Sequence, residues 1–367
     1  MSATQAVSQT PNRPGDRLTI ASETALLEQV CEAINEEKPL LIQGGNSKAF
    51  LGRPTQGTIL DTKIHQGVVN YDPTELVISV KAGTSLAELE NILAEKGQSL
   101  PFEPPHFADT ATVGGMVAAG IAGPRRPWVG SVRDFVLGTK VITGHGKLLR
   151  FGGEVMKNVA GYDLSRLMAG SYGCLGLITE VSMKVLPKPR HQRHLSIACD
   201  QTTAFSNLTL WGQKPLPITG ACFYQDRLYL RLEGGEASVN NFAQTLQGDE
   251  LDPVFWNELK EQTLPFFQSP KHLWRLSLPV EAKQPSLEGD CLIDWGGAQR
   301  WFKTSQAENE IRQQATAQGG HATCFSQGVT DQPFQPLNPL VMRYHQQLKE
   351  QLDPKRIFNP GRMYSDY

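Results

Sequence analysis

Thr110-Ala111-Thr112-Val113-Gly114-Gly115, then Ala118-Ala119-Gly120, then Gly170-Ser171-Tyr172-Gly173-Cys174-Leu175-Gly176-Leu177-Ile178-Thr179 are the runs whose reading decides the fold. They lie in a glycine-dense stretch from Leu100 to Pro189, which Pro104-Pro105-His106 opens. The same stretch contains Lys157-Asn158-Val159-Ala160-Gly161-Tyr162-Asp163. Small residues in succession leave backbone N–H groups uncovered. Glycine accepts the positive φ angles that let several such groups converge on an anion. One run of this kind reads as a tight turn; several in order read as the bed of a large, phosphate-bearing cofactor. Leu40-Leu41-Ile42 running into Gln43-Gly44-Gly45-Asn46-Ser47 repeats the signal. That strand-to-turn segment suits a pyrophosphate held by backbone N–H groups and the Ser47 hydroxyl. It is not a Walker loop and not Gly-x-Gly-x-x-Gly, so a Rossmann-type site is not expected.

Composition narrows the class. The chain has 367 residues, 40% of them hydrophobic, enough for two cores because single cores stop growing at about 250–300 residues. The formal net charge is -2 and no basic block stands out, which argues against a nucleic-acid partner. Cys31, Cys174, Cys199, Cys222, Cys291 and Cys324 form no Cys-x-x-Cys pair. A zinc site or iron–sulfur cluster is therefore not encoded, no metal site is expected, and reduced thiols fit a cytosolic protein. No apolar run approaches the ~20 residues that cross a bilayer. Met1 to Asp16 is polar, with Pro11 and Pro14, and reads as a disordered arm rather than a signal peptide.

Taken in order, Ser22 to Glu37 has Leu26, Leu27, Val30 and Ile34 at helical spacing, with Ser22 as N-cap and Pro39 as the stop. Leu76 to Lys81 alternates as a strand. Ser85-Leu86-Ala87-Glu88 reads as a capping box for a helix with Leu86, Leu89, Ile92 and Leu93 on its apolar face and Gly97 at its end. Val136 to Thr143 and Lys147 to Phe151 flank Gly144-His145-Gly146 as a hairpin, His145 being a solvated turn residue. Asp163 caps a short helix to Met168, Leu177 to Val185 closes the unit, and Pro187 and Pro189 mark a linker. From Arg190 glycine thins. Strands are expected at His194–Ala198, Ala221–Tyr224, Leu228–Leu232, Leu273–Leu278 and Cys291–Trp295. Helices are expected at Phe205–Trp211, Ala237–Leu246, Asn309–Ala317 and Val341–Leu352. This alternation predicts an α+β second unit with an antiparallel sheet.

These motifs resemble the FAD-binding domain of the vanillyl-alcohol-oxidase-like flavoproteins, the PCMH type. Within that superfamily the chain is similar to the FAD-binding E subunits of bacterial glycolate oxidases (glycolate dehydrogenases). The subunit-level likeness rests on Lys157 to Asp163, on Trp274-Arg275-Leu276-Ser277-Leu278-Pro279 and on Phe358-Asn359-Pro360-Gly361-Arg362. The resemblance implies an α+β fold: a two-subdomain PCMH-type domain, an α+β cap with an antiparallel sheet, and a tail returning to the FAD domain. The expected division is a disordered arm 1–17, an FAD domain 18–188, a cap 190–340 and a helix and tail 341–367. The implied FAD-binding residues are Gly44, Gly45, Asn46, Ser47, Pro105, Thr110, Ala111, Thr112, Gly114, Gly115, Gly120, Gly161, Tyr162, Gly173, Gly176, Ile178 and Asn359, the last near the flavin ring. Some relatives carry a flavin-linked histidine where this chain has Asn46, so non-covalent FAD is expected.

The resemblance also implies a function: oxidation of a small 2-hydroxy acid within a glycolate dehydrogenase complex. The implied partners are a catalytic flavin subunit and an iron–sulfur subunit. The expected location is cytoplasmic, with any attachment to the inner face of the membrane made through partners. Hydroxy-acid oxidation needs a cation for the carboxylate and a base for the hydroxyl proton. Arg275 and Arg231, both on expected cap strands, are the candidate cations; Tyr224 and His321 are the candidate bases. The His-x-Gly-Asp-Gly-Asn motif of the D-2-hydroxy-acid dehydrogenases does not occur in this sequence. His191 and His194 fall on opposite faces of one strand and cannot chelate together. Two alternatives stay open: a self-sufficient FAD enzyme for another small alcohol or hydroxy acid, and a scaffold that has kept the fold.

Overall fold

The computed structural model describes residues 14–153 and 164–367. Lys157 to Asp163, with the expected cofactor residues Gly161 and Tyr162 and the cap residue Asp163, lie outside the described residues.

The first unit is built on an antiparallel five-stranded sheet. Its order is Val68–Asp72, Val77–Lys81, Leu177–Lys184, Val136–Ile142, Leu148–Gly152. One face is covered by helices Leu86–Glu95 and Val113–Ala119, whose Leu86, Leu89, Leu93, Met116 and Val117 interlock with Ile78, Val80 and Val181. The Gly144-His145-Gly146 turn joins two of these strands as the sequence reading expects. Beside the sheet lies a small parallel pair, Leu40–Gln43 with Thr58–Asp61, which the chain's far end extends through a parallel bridge between Leu40 and Phe358.

Two local expectations need correction. The first helix runs from Pro14 to Glu36, so the disordered arm does not extend to residue 17 and Ser22 is not an N-cap. Proline is pre-set for a first helical turn, and the Ser22 hydroxyl instead meets His65 Nδ1 at 2.8 Å. Ser85 does begin its helix, but its side chain makes no capping bond. The Leu86 N–H is met by the carbonyl of Ala111 at 2.8 Å, so the glycine-rich loop itself caps this helix.

The second unit is an antiparallel eight-stranded sheet in the order Asp249–Glu250, His191–Ala198, Arg227–Gly234, Ile218–Tyr224, Asp290–Asp294, Gln299–Thr304, His272–Ser277, His321–Cys324. Helices Gln201–Gly212, Glu236–Leu246 and Glu308–Ala317 stand where the periodicity placed them; helix Val254–Glu261 and strands Gln299–Thr304 and His321–Cys324 are additional. Helix Pro339–Leu352 then leads the chain back to the first unit.

Polar contacts join the two units. Arg231 pairs with Glu103 at 2.8 Å, Arg125 pairs with Glu233, and the Trp295 indole N–H donates to the Gly123 carbonyl at 3.0 Å. Leu51, from the loop after the Gly-Gly turn, is buried in the cap's aromatic core with Phe255, Phe266 and Trp301.

Candidate cofactor and substrate site

Two adjoining cavities share Ile42, Gly44, Gly115, Ala118, Tyr172 and Asn359, so together they form one trough through the first unit. One end is walled by the Gly44–Ala49 loop and Arg362; the other reaches Thr62, Ala82, Gly173, Gly176 and Ile178. Of the expected cofactor residues, Gly44, Gly45, Asn46, Ser47, Thr112, Gly114, Gly115, Gly173, Gly176, Ile178 and Asn359 line it. Pro105, Thr110, Ala111 and Gly120 do not, and their places explain why. Pro105 and Ala111 are buried behind the wall. Gly120 takes φ 64° as the left-handed end of helix Val113–Ala119, in contact with Gly170. Thr110 Oγ1 donates to the Gly45 carbonyl at 2.6 Å and so holds the two glycine loops together.

The glycines serve this closeness. A Cβ on Gly45 would lie 1.4 Å from the Thr110 carbonyl oxygen, and one on Gly44 would lie 2.4 Å from Thr112 Oγ1. The expected purpose, uncovered N–H groups for phosphate, thus stands beside a second one: letting two loops meet without side chains between them. Gly115 differs. It is exposed, and only Thr112 Oγ1, at 3.1 Å, lies near its added Cβ, so its open side is the trough. A trough bounded by two loops that only glycine permits, beside the ammonium of Lys48, fits a long phosphate-bearing cofactor such as FAD.

Asn359 spans the trough's walls. Its Oδ1 accepts the Ile42 N–H at 2.8 Å, and its Nδ2 donates to the Tyr172 carbonyl at 2.7 Å. The tail carrying it is pinned by a fully buried pair. Lys349 Nζ bonds Asp353 Oδ2 (2.8 Å), the Cys174 carbonyl (2.6 Å) and the Phe358 carbonyl (2.9 Å). The Asp353 carboxylate in turn accepts the Ile357 and Phe358 N–H groups.

On the cap side of Tyr172 lies an unusual cation. Arg275 is largely buried on strand His272–Ser277, its guanidinium 4.9 Å from the Phe325 ring centre. Among the described residues it forms no hydrogen bond or ion pair, and its Nε is fully enclosed. Burial lowers its affinity for its proton, while the Tyr172 hydroxyl within electrostatic reach opposes that. Tyr172, at φ 53° just before Gly173, packs 5.1 Å from Phe334. Burial raises its hydroxyl above the ordinary value despite the pull of Arg275 and Arg362. His321 begins the neighbouring strand opposite Ser277, and partial burial followed by the Arg275 charge lowers its imidazole. Arg275 thus lies within electrostatic reach of Tyr172 on one side and of His321 on the other. Arg231 is engaged elsewhere, with Glu103 and the Thr219 carbonyl. Tyr224 is half-buried in an aromatic cluster, edge-on to Phe266 at 5.6 Å. Lys48, Tyr172 and Arg362 were missed by sequence reasoning. Their one sequence signal is adjacency: Lys48 follows Ser47, Tyr172 precedes Gly173, and Arg362 is three residues past Asn359.

Comparison with known proteins now adds to the geometry. A family model described as an FAD binding domain matches residues 17–152. Glycolate oxidase subunit GlcE of Escherichia coli (strain K12) is 59% identical over 342 residues, covering 93% of this chain and 97% of that protein. Glycolate oxidase subunit GlcD of Bacillus subtilis (strain 168) is 29% identical, over 49% of this chain and 39% of its own length. D-lactate dehydrogenase of Archaeoglobus fulgidus is 31% identical, over 48% of this chain and 40% of its own length. Among solved structures, alkyldihydroxyacetonephosphate synthase superposes with a TM-score of 0.66 at 17% identity, over 91% of this chain and 74% of its own; it shares the fold.

Proposed function

This chain belongs to the family of the glycolate oxidase subunit GlcE, and from that premise we propose that it is the FAD-carrying subunit of a glycolate (2-hydroxy acid) oxidase. Its partners in this reading are a catalytic flavin subunit and an iron–sulfur subunit, and its place is the cytoplasm. The observation that carries the reading is the continuous trough from the Gly44–Lys48 loop to Tyr172 and Asn359. FAD, when bound, supplies the acceptance of electrons from an alcohol carbon that no side chain can provide. The chain's own residues do the rest. Gly44 to Ser47 and Gly114 to Gly115 hold the cofactor's length, and Asn359 braces the walls. Arg275 presents a planar fork suited to a carboxylate.

We assign the chain a supporting role rather than independent turnover. General-base assistance is worth about 10²- to 10⁴-fold, and the His-x-Gly-Asp-Gly-Asn motif of the D-2-hydroxy-acid dehydrogenases does not occur in this sequence. A second reading, self-contained hydroxy-acid oxidation, is favoured by one observation: a guanidinium with no partner among the described residues, within electrostatic reach of Tyr172 and His321. The test is glycolate-dependent dye reduction by the chain alone and with its partners. Activity is expected only in the assembled complex. It should be lost when FAD binding here is abolished while assembly persists. Rapid reduction by the isolated chain, lost in Arg275→Ala with FAD retained, would establish the second reading instead.

A further inference from the structure

We propose that the Lys48 ammonium is a ligand of the cofactor's diphosphate, an ionic contact at the end of the glycine loop; this rests on the reading that FAD occupies the trough. Lys48 lines the same cavity as Gly44 to Ser47 and is half-buried. Its Nζ donates to the Ser47 hydroxyl at 3.3 Å and to the His106 carbonyl at 3.1 Å, and it sits 5.6 Å from the Phe107 ring centre. Both bonded oxygens are neutral, and among the described residues Lys48 has no ion pair. A cation withdrawn from water is favourable only with a counter-charge.

The charges around it are already committed. Glu261, on helix Val254–Glu261, is the carboxylate whose charge reaches Lys48, but it accepts the His106 and Phe107 N–H groups (3.0 and 2.8 Å) and pairs with Lys260 at 3.2 Å. Those bonds and Lys260 outweigh its burial, so it stays ionised. The His106 ring turns the other way, to Glu90 on helix Leu86–Glu95. What remains is an unmatched ammonium at the mouth of a loop whose shape suits phosphate oxygens. Burial, offset only in part by Glu261, pushes it down to about 8 from the ordinary lysine range. An anion that binds it raises that value again. Binding therefore takes up a proton above pH 8, and affinity is full below that pH and falls as pH rises through it.

The experiment titrates the full-length apoprotein with FAD by flavin fluorescence from about pH 6.5 to about 9.5, a range that brackets the Lys48 value of about 8 below the ordinary lysine range. It compares wild type, Lys48→Met and Lys48→Arg, and uses ADP and riboflavin as probes with and without the diphosphate. Wild-type affinity should decline above about pH 8. Lys48→Met should bind FAD and ADP roughly ten- to a hundredfold more weakly at pH 7, without that decline. Lys48→Arg, whose charge does not titrate here, should restore affinity and hold it flat with pH. Riboflavin should bind all three alike. FAD and ADP affinities that Lys48→Met leaves unchanged would overturn the role of Lys48 alone, as would an equal loss for riboflavin. No FAD uptake by the wild-type chain would overturn the placement of the cofactor.

Discussion

Asn46 takes φ 58° at the turn of the first glycine loop, a left-handed conformation that asparagine adopts more readily than most residues. Its amide carries no nucleophile for carbon, so the flavin should leave with acid or heat. Yellow colour that stays with acid-precipitated protein would contradict this and would direct attention to His106. Asn359 shows where residue-level reading stops. Its type and position are plain in the sequence, and the expectation placed it by the flavin ring. In the structure its amide bridges Ile42 and Tyr172, two positions that no local pattern connects to it. Arg275 was likewise visible as a cation on a strand. That it has no partner among the described residues, whereas Arg231 has one, depends on what Glu103 does in the other unit.

At the level of elements, the glycine runs and the Gly-Gly turn do come together around one trough, and Gly115 is the place to test it. It lies in helix Val113–Ala119 with ordinary geometry, so Gly115→Asp should fold and push a carboxylate into the cavity. Purified Gly115→Asp is expected to retain no FAD, with an unchanged far-UV circular dichroism spectrum; one flavin per chain in that variant would place the cofactor elsewhere. Strand Leu177–Lys184 was legible in the sequence because its Leu177, Ile178, Val181 and Met183 are both apolar and buried. Strand Gln299–Thr304 was not. Its Gln-Arg-Trp-Phe-Lys-Thr reads as polar, yet Arg300 and Lys303 are buried. Arg300 is satisfied by the carbonyls of Gly297, Lys283 and Ala282, and Lys303 by those of Ser269 and Lys271. Partners that arrive from loops leave no periodic trace.

For the whole molecule, the units are held together by a polar seam, and the returning tail is held by the Lys349–Asp353 pair at zero exposure. Removing one member leaves the other charged and buried, a loss of about 3–5 kcal/mol. Asp353→Ala should therefore lower the unfolding free energy obtained from urea titration by that amount and release FAD before global unfolding, followed by flavin fluorescence against tryptophan emission. Coincident transitions would mean that tail and cofactor are not separately coupled. The tail's contacts have a further consequence in time. The strand that precedes the Gly-Gly turn pairs with Phe358, and Ile42 bonds a side chain 317 residues later. Translation delivers the glycine loops early and their brace last. A nascent chain still on the ribosome holds half a binding site through the synthesis of the entire cap, so flavin loading waits for the tail to emerge and fold back.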